Sequence, residues 1–186
     1  IKTFLVQYQQ SGRLPVWELS SCETDCMIGY HSVPVILDAY QKGIRDFDLG
    51  LALKAMLDAS NRNVLGLPAF NAKGLINVED EHESVSKTLE YAFDDYCIAQ
   101  FAKLTGQFAV AEMYFNRAQH YRNLFDRSTG FMRPRKNGDW ILPFDPKEVN
   151  NHYTEANSWQ YSFYFPHDVD GYLKMVGGKE KLEEKL

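Results

Sequence analysis

The chain has 186 residues, 45% of them hydrophobic and 24% charged, a balance that suits one globular unit. Its formal charge is -5 and its Lys and Arg are scattered without a basic stripe, which argues against a nucleic-acid partner. No apolar run approaches the ~20 residues needed to span a bilayer, so no membrane span is expected. The cysteines are Cys22, Cys26 and Cys97, an odd count that argues against a complete disulfide framework. Cys22 and Cys26 lack a matching pair elsewhere, so a zinc site is not expected, and Cys97 reads as a free buried thiol.

Residues 1–8 read as the late part of an amphipathic helix, with apolar side chains at positions 1, 4, 5 and 8, and Gly12 supplies a stop. Both ends of the chain look cut, and the expectation is a single segment, 1–186, excised from a larger catalytic domain. Residues 13–25 form a polar loop carrying Trp17 and Glu18. Asp25 stands where the N-cap of a helix over 26–42 would stand. That helix is apolar nearly all round, which predicts burial on several sides, and Pro34 should kink or split it. Asp46 or Asp48 caps the next helix, about 49–59. Residues 60–81 then read as a long connection with Gly66, Pro68 and Gly74, of the kind that often lies over a site.

The most regular pattern covers 83–104, with Val85, Leu89, Phe93 and Tyr96 recurring at three or four. Thr105-Gly106 stops it, and a second helix follows over about 107–125. So short a link makes the two antiparallel neighbours. Residues 127–147 change character. Asn137-Gly138 is a hairpin turn signal, and the flanking prolines leave an irregular ribbon. A short helix over about 168–176 ends at Gly177-Gly178, and a last one begins near Lys179. The fold reading is all-α, built from antiparallel helix pairs, with an irregular hairpin-like ribbon near 127–147.

The chemically dense stretch runs from His152 to Asp168. It places Glu155, Asn157, Trp159, Gln160, His167 and Asp168 among several large rings. Rings offer flat apolar faces, and amides and carboxylates offer directional hydrogen bonds to hydroxyls. The plainer reading is an aromatic corner in which Asn157 and Gln160 tie down backbone groups. A carboxyl that acts as a proton donor must stay protonated near neutral pH, which apolar surroundings favour. Glu155 fits, since Tyr153, Trp159 and Tyr161 surround it in sequence; the alternative is a Glu paired with Arg or capping a helix. Asp25 is the second candidate, either as an N-cap or as an acceptor for adjacent ligand hydroxyls, with Trp17, Glu18 and Glu23 beside it. Trp17 and Trp159 read as core or as stacking faces. His31 reads as a core histidine, and His152 as pocket lining. Glu90 and Asp94 share one helix face, which reads as a solvated acidic face or, less simply, as oxygen ligands for calcium.

Glu155-Ala156-Asn157-Ser158-Trp159-Gln160-Tyr161 followed by Pro166-His167-Asp168 resembles a block of the glycoside hydrolase family 92 α-mannosidases. Two further blocks agree in order. One runs from Arg13-Leu14-Pro15 through Trp17-Glu18 and Asp25-Cys26-Met27-Ile28-Gly29 to His31-Ser32. The other is Ser84 to Ala92 with Asp94-Asp95. The resemblance implies part of an (α/α)6 barrel and calcium-dependent, inverting, exo-acting hydrolysis of α-mannosides. It implies that Glu155 is the general acid and that Asp25 lies in the terminal-mannose subsite. Trp17, Glu18, Asn157, Trp159, Gln160, His167 and Asp168 are then candidates for substrate binding.

In the family the base is an aspartate in a later, glycine-rich acidic block. Nothing here matches that block, and Asp168 and Asp170 are not assigned its role. The calcium ligands are likewise expected mostly outside the segment, and none is assigned within it. The implied partners are a mannose-containing glycan and the rest of the catalytic domain. The implied location is outside the cytoplasm, in a bacterial periplasm or on a cell surface. The segment alone is expected to be inactive and to self-associate through uncovered apolar surface. Two other readings stay open. One is a non-catalytic helical carbohydrate-binding or interaction scaffold. The other is a different (α/α)6 hydrolase or lyase, although the net charge without a basic cluster disfavours an anionic polysaccharide.

Overall fold

The computed structural model describes all of residues 1–186. Helix α1 (Lys2–Ser11) ends at Gly12, whose φ of 77° is the left-handed stop expected there. Residues 13–25 carry a small hairpin, β1 (Glu18–Leu19) paired with β2 (Cys22–Glu23). Helix α2 (Ser32–Gln41) begins six residues later than the apolar pattern predicts. Residues 26–31 stay irregular instead, with bends at 27–29, because Asp25 takes a left-handed φ of 52° and its carboxylate turns to Arg13 and Arg62 rather than to helix amides. The late start also removes the expected kink. Pro34 falls in the first turn of α2, where its missing N–H has no helical partner to lose.

Helix α3 (Leu49–Ser60) is capped by Asp48, whose side chain accepts from the Leu51 amide. The connection over 60–81 is not structureless. It contains α4 (Leu67–Lys73), and the three residues read as loop punctuation bound it: left-handed Gly66 before it, Pro68 in its first turn and left-handed Gly74 after it.

Helix α5 (Ser84–Leu104) runs through the middle of the molecule, with fifteen of its 21 residues buried. Leu89, Ile98 and Phe101 are withdrawn from water, each burial contributing about 1.5–3 kcal/mol. A helix apolar on every side needs neighbours on every side. α2, α3 and α6 (Phe108–Arg117) supply them, together with the 3₁₀ turn Ala118–Leu124 that finishes the expected 107–125 helix. The three-residue link from Thr105 to Gln107 folds α6 back beside α5.

Glu90, Asp94 and Asp95 do not form a solvated face. Asp94 and Asp95 are fully buried, and the Glu90 side chain is 12% exposed. Asp94 accepts from the Tyr30 amide at 2.8 Å. A side chain at Gly29 would bring a Cβ within 2.6 Å of Glu90 Cγ, so only glycine admits this close approach.

The ribbon consists of two hairpins. β3 (Phe125–Asp126) pairs with β4 (Phe131–Met132), and β5 (Arg135–Lys136) pairs with β6 (Asp139–Trp140) around the Asn137-Gly138 turn. Helix α7 is the single turn Ser158–Tyr161. Asp168 caps α8 (Val169–Val176), and α9 (Lys179–Lys185) closes the chain. No helix is long and apolar enough to cross a membrane.

Candidate active site

Glu155 projects from a loop that is stitched to the first turn of α5. The Glu83 amide donates to the Asn151 carbonyl at 2.7 Å and the Val85 amide to the His152 carbonyl at 3.1 Å. The Thr154 amide donates to Ser86 Oγ at 2.8 Å, and Thr154 Oγ1 donates to Glu83 Oε1 at 2.9 Å. The other side of the loop is tied to β4, where Tyr153 OH and Ser158 Oγ both donate to the Met132 carbonyl. Between these anchors Glu155 takes a left-handed φ of 52°, a conformation that a non-glycine residue holds only when its surroundings impose it. Its side chain is exposed and lines an open cavity with His82, Glu83, Val149, Asn150, Asn151 and Tyr153.

The three rings near Glu155 in sequence part company in space. Tyr153 lines the Glu155 cavity. Trp159 packs its ring 5.1 Å from Phe131 and stays 38% exposed. Tyr161 sends its hydroxyl back to the Thr154 carbonyl and lines a neighbouring depression with Glu90, Ala156, Gln160 and Tyr164. The apolar enclosure expected around Glu155 is therefore not built by Trp159 and Tyr161. Asn157 and Gln160 form a reciprocal capping box on α7, with Gln160 N to Asn157 Oδ1 at 3.1 Å and Asn157 N to Gln160 Oε1 at 3.3 Å.

His167 is surrounded by Phe93, Tyr96 and Tyr121 and contacts the Ala118 carbonyl at 2.9 Å. Burial pushes its pKa down despite the Ala118 contact. Asp168 accepts from Tyr121 OH at 2.9 Å, Arg122 Nη2 at 2.7 Å and the Gly171 amide. Burial raises its pKa, but those donors outweigh burial and leave the carboxyl below its usual range.

Asp25 lines a second cavity with Leu14, Pro15, Val16, Met27, Arg62 and Tyr91 among others, separate from that of Glu155. Arg62 meets it in a two-pronged pair at 2.9 and 2.7 Å, and Arg13 adds a third contact at 2.7 Å. The Arg62 hydrogen bonds hold the Asp25 carboxyl below its ordinary value, with Arg13 assisting. The surrounding loop is organised by Glu23, which accepts from the amides of Val16, Trp17 and Asp25. Trp17 is exposed, and Glu18 is exposed and bonded to Gln7.

Arg62, Glu83 and Ser86 are the contributors that sequence reasoning passes over, because their partners lie in other elements. Glu23 acts within its own loop, where its place beside Asp25 is a local signal. No group of three or more His, Cys, Asp or Glu is gathered to hold a metal ion. Cys22 and Cys26 are exposed free thiols, and Cys97 is a buried one.

The glycosyl hydrolase family 92 catalytic domain matches this chain over residues 1–186. The chain is similar in structure to the family GH92 α-mannosidase BT3965 from Bacteroides thetaiotaomicron, with a TM-score of 0.94 and 41% identity over 99% of this chain and 25% of that one. It is similar to the inverting GH92 mannosidase BT2199 of the same organism, with a TM-score of 0.94 and 32% identity over 99% of this chain and 26% of that one. An uncharacterized secreted glycosidase of Arthroderma benhamiae is 30% identical over 220 residues, covering 96% of this chain and 28% of its own length. The chain thus spans about a quarter of the length of the relatives it matches. The three sequence blocks, the helical architecture and these likenesses agree, and the chain belongs to glycosyl hydrolase family 92.

Proposed function

We propose that this chain is one portion of a larger (α/α)6 catalytic domain, that of an inverting exo-α-mannosidase acting on terminal α-linked mannose of glycans. The likeness to BT3965, which has been seen with mannoimidazole, and to BT2199, named as an inverting mannosidase, supports the substrate and the stereochemistry. The observation that carries the site assignment is Glu155. It stands on an over-determined left-handed backbone, in an open cavity, within the block that resembles the family's acid motif. In this reading Glu155 protonates the glycosidic oxygen as the bond breaks. Asp25, held by Arg13 and Arg62 in a cavity separate from that of Glu155, is assigned to the terminal-mannose subsite on the family's motif, and Trp17 and Trp159 are exposed rings available for stacking. The base that activates water lies about 6.5–9.5 Å from the acid in inverting enzymes, and we assign it to the remainder of the domain. Calcium is proposed for the full-length enzyme, with most of its ligands outside this chain. Export is proposed from the likeness to a secreted glycosidase.

The test uses the full-length protein. Mannose release is followed from α-1,2-, α-1,3-, α-1,4- and α-1,6-mannobiose, with calcium and with EDTA, for the native protein and Glu155→Gln. Release that needs calcium and falls about 10²–10⁴-fold in the variant is the expected result for loss of a general acid. Proton NMR of the first-formed sugar should show the β-anomer. A folded protein that releases no mannose from any of these would end the mannosidase reading.

A further inference from the structure

Thr154, the residue before Glu155, has every polar group engaged. Its amide donates to Ser86 Oγ at 2.8 Å, its hydroxyl donates to Glu83 Oε1 at 2.9 Å, and its carbonyl accepts from Tyr161 OH at 3.1 Å. Glu83 occupies the N-cap position of α5, where a carboxylate would ordinarily accept from the helix's free amides. It does not: its side chain makes no cap bond and turns outward to Thr154 instead. Glu83 also takes a left-handed φ of 53°, a conformation that a Cβ disfavours. Its own amide is fixed to Asn151 at 2.7 Å, on the same loop. Behind it the Lys87 side chain is 2% exposed, 3.9 Å from Glu83 Oε2 and 3.1 Å from Glu81 Oε1, which places a buried cation beside both acids. A cap is thus forgone and a left-handed backbone held while Glu83 Oε1 accepts from the Thr154 hydroxyl, with His82 Nε2 3.5 Å and Lys87 Nζ 3.9 Å from Oε2.

We propose that Glu83 is a positioning residue that sets the reach and direction of the Glu155 carboxyl through the Thr154 hydroxyl. The inference rests on the reading of Glu155 as the proton donor. A donor must meet the glycosidic oxygen within hydrogen-bond reach, and a displacement of about 1 Å can cost about 10²-fold in rate. Thr154 is joined directly to Glu155, so a loosened Thr154 moves the donor before it moves any group that holds the sugar.

Leaving-group chemistry distinguishes this from a merely structural role. The reducing-end mannose of a mannobiose would have to leave as a strongly basic alkoxide unless its oxygen takes the donor's proton and departs as an alcohol, whereas a 2,4-dinitrophenolate departs without one. In the full-length protein, Thr154→Val removes the hydroxyl at constant shape, Thr154→Ser retains it, and Glu83→Ala removes its acceptor. Thr154→Val and Glu83→Ala should each lower kcat on mannobiose by about tenfold with KM little changed, and lower 2,4-dinitrophenyl α-mannoside turnover less than about twofold. Thr154→Ser should recover most of the mannobiose rate. Equal losses on both substrates, or no loss on either, would overturn the proposal, and either variant decides it if the other fails to fold. Glu155→Gln serves as the reference. If it shows no such selectivity, the proton-donor reading fails and takes this proposal with it. If it does while Thr154→Val and Glu83→Ala match the native protein, only the positioning role fails.

Discussion

Asp95 and Arg117 form a two-pronged ion pair in the interior. Arg117 Nε lies 2.7 Å from Asp95 Oδ2 and Nη2 lies 3.2 Å from Oδ1, with Asp95 fully buried. Tyr30 OH adds a 2.5 Å contact to Oδ1, so one carboxylate joins α5, the end of α6 and the approach to α2. Burial pushes the Asp95 carboxyl up, Arg117 and Tyr30 pull it back, and the balance is about 6. Arg117→Met should strand the buried acid and cost about 3–5 kcal/mol, while Asp95→Leu with Arg117→Met should recover much of it. Urea unfolding of the two variants beside the native protein measures this. A single variant as stable as the native protein would show that the pair does not hold the helices.

Acid sensitivity should trace to Asp126. Burial raises its carboxyl, but donors from Ser128, Arg133 and Thr129 outweigh burial and bring it from an ordinary 3.8 to about 2. A carboxyl depressed in the folded state stabilises fully above its unfolded value. That contribution is lost as pH falls through the folded value. The window therefore runs from about pH 4 down to about pH 2. Asp126→Asn should flatten the fall in urea midpoint between pH 4 and pH 2.5. An unchanged slope would assign the acid sensitivity to other carboxyls.

Asp25 should govern substrate affinity more than turnover. Asp25→Asn in the full-length protein should raise KM for mannobiose by about 10–100-fold, since hydrogen bonds to a charged group are worth about 1.5–3 kcal/mol. Arg62→Met leaves the carboxylate but removes its two-pronged brace, and should produce a smaller rise in KM. Initial rates against mannobiose concentration decide between this and an effect confined to kcat.

The isolated 186-residue chain should release no mannose and should self-associate. Leu104 and Phe108, at the turn between α5 and α6, are 48% and 69% exposed, and Met113 on α6 is 59% exposed. Bare apolar surface of this kind favours association. Sedimentation velocity at rising concentration should show growing species, and a single monomer boundary at high concentration would contradict this.

The helices were legible wherever the signal was local. Asp48 as a cap, Gly12 and Gly177 as stops and the Asn137-Gly138 turn all act through their own neighbours, so composition and spacing disclose them. The start of α2 was misread because its apolar pattern runs on through residues 26–31, whereas a distant partner, Arg62, determines the conformation at Asp25. Glu90 and Asp94 were misread for the same reason. Helical spacing says they share a face but not that α2's approach covers it. In the candidate site the motif names Glu155, whereas the residues that hold its loop, Glu83 and Ser86, are about seventy positions upstream, and no local pattern could expose them.

That separation has a consequence for how the protein acquires its shape. The Ser86–Thr154 and Glu83–Thr154 contacts join residues 68 and 71 positions apart. Closing a loop of that length costs about 4 kcal/mol in chain entropy before either bond is gained. Helices and two-residue hairpins form from near neighbours and come early, so the Glu155 loop docks on α5 among the last events of folding. The same dock is where native-state hydrogen exchange should first open. The Glu83 and Val85 amides, bonded across to Asn151 and His152, should lose protection together, ahead of the α5 interior.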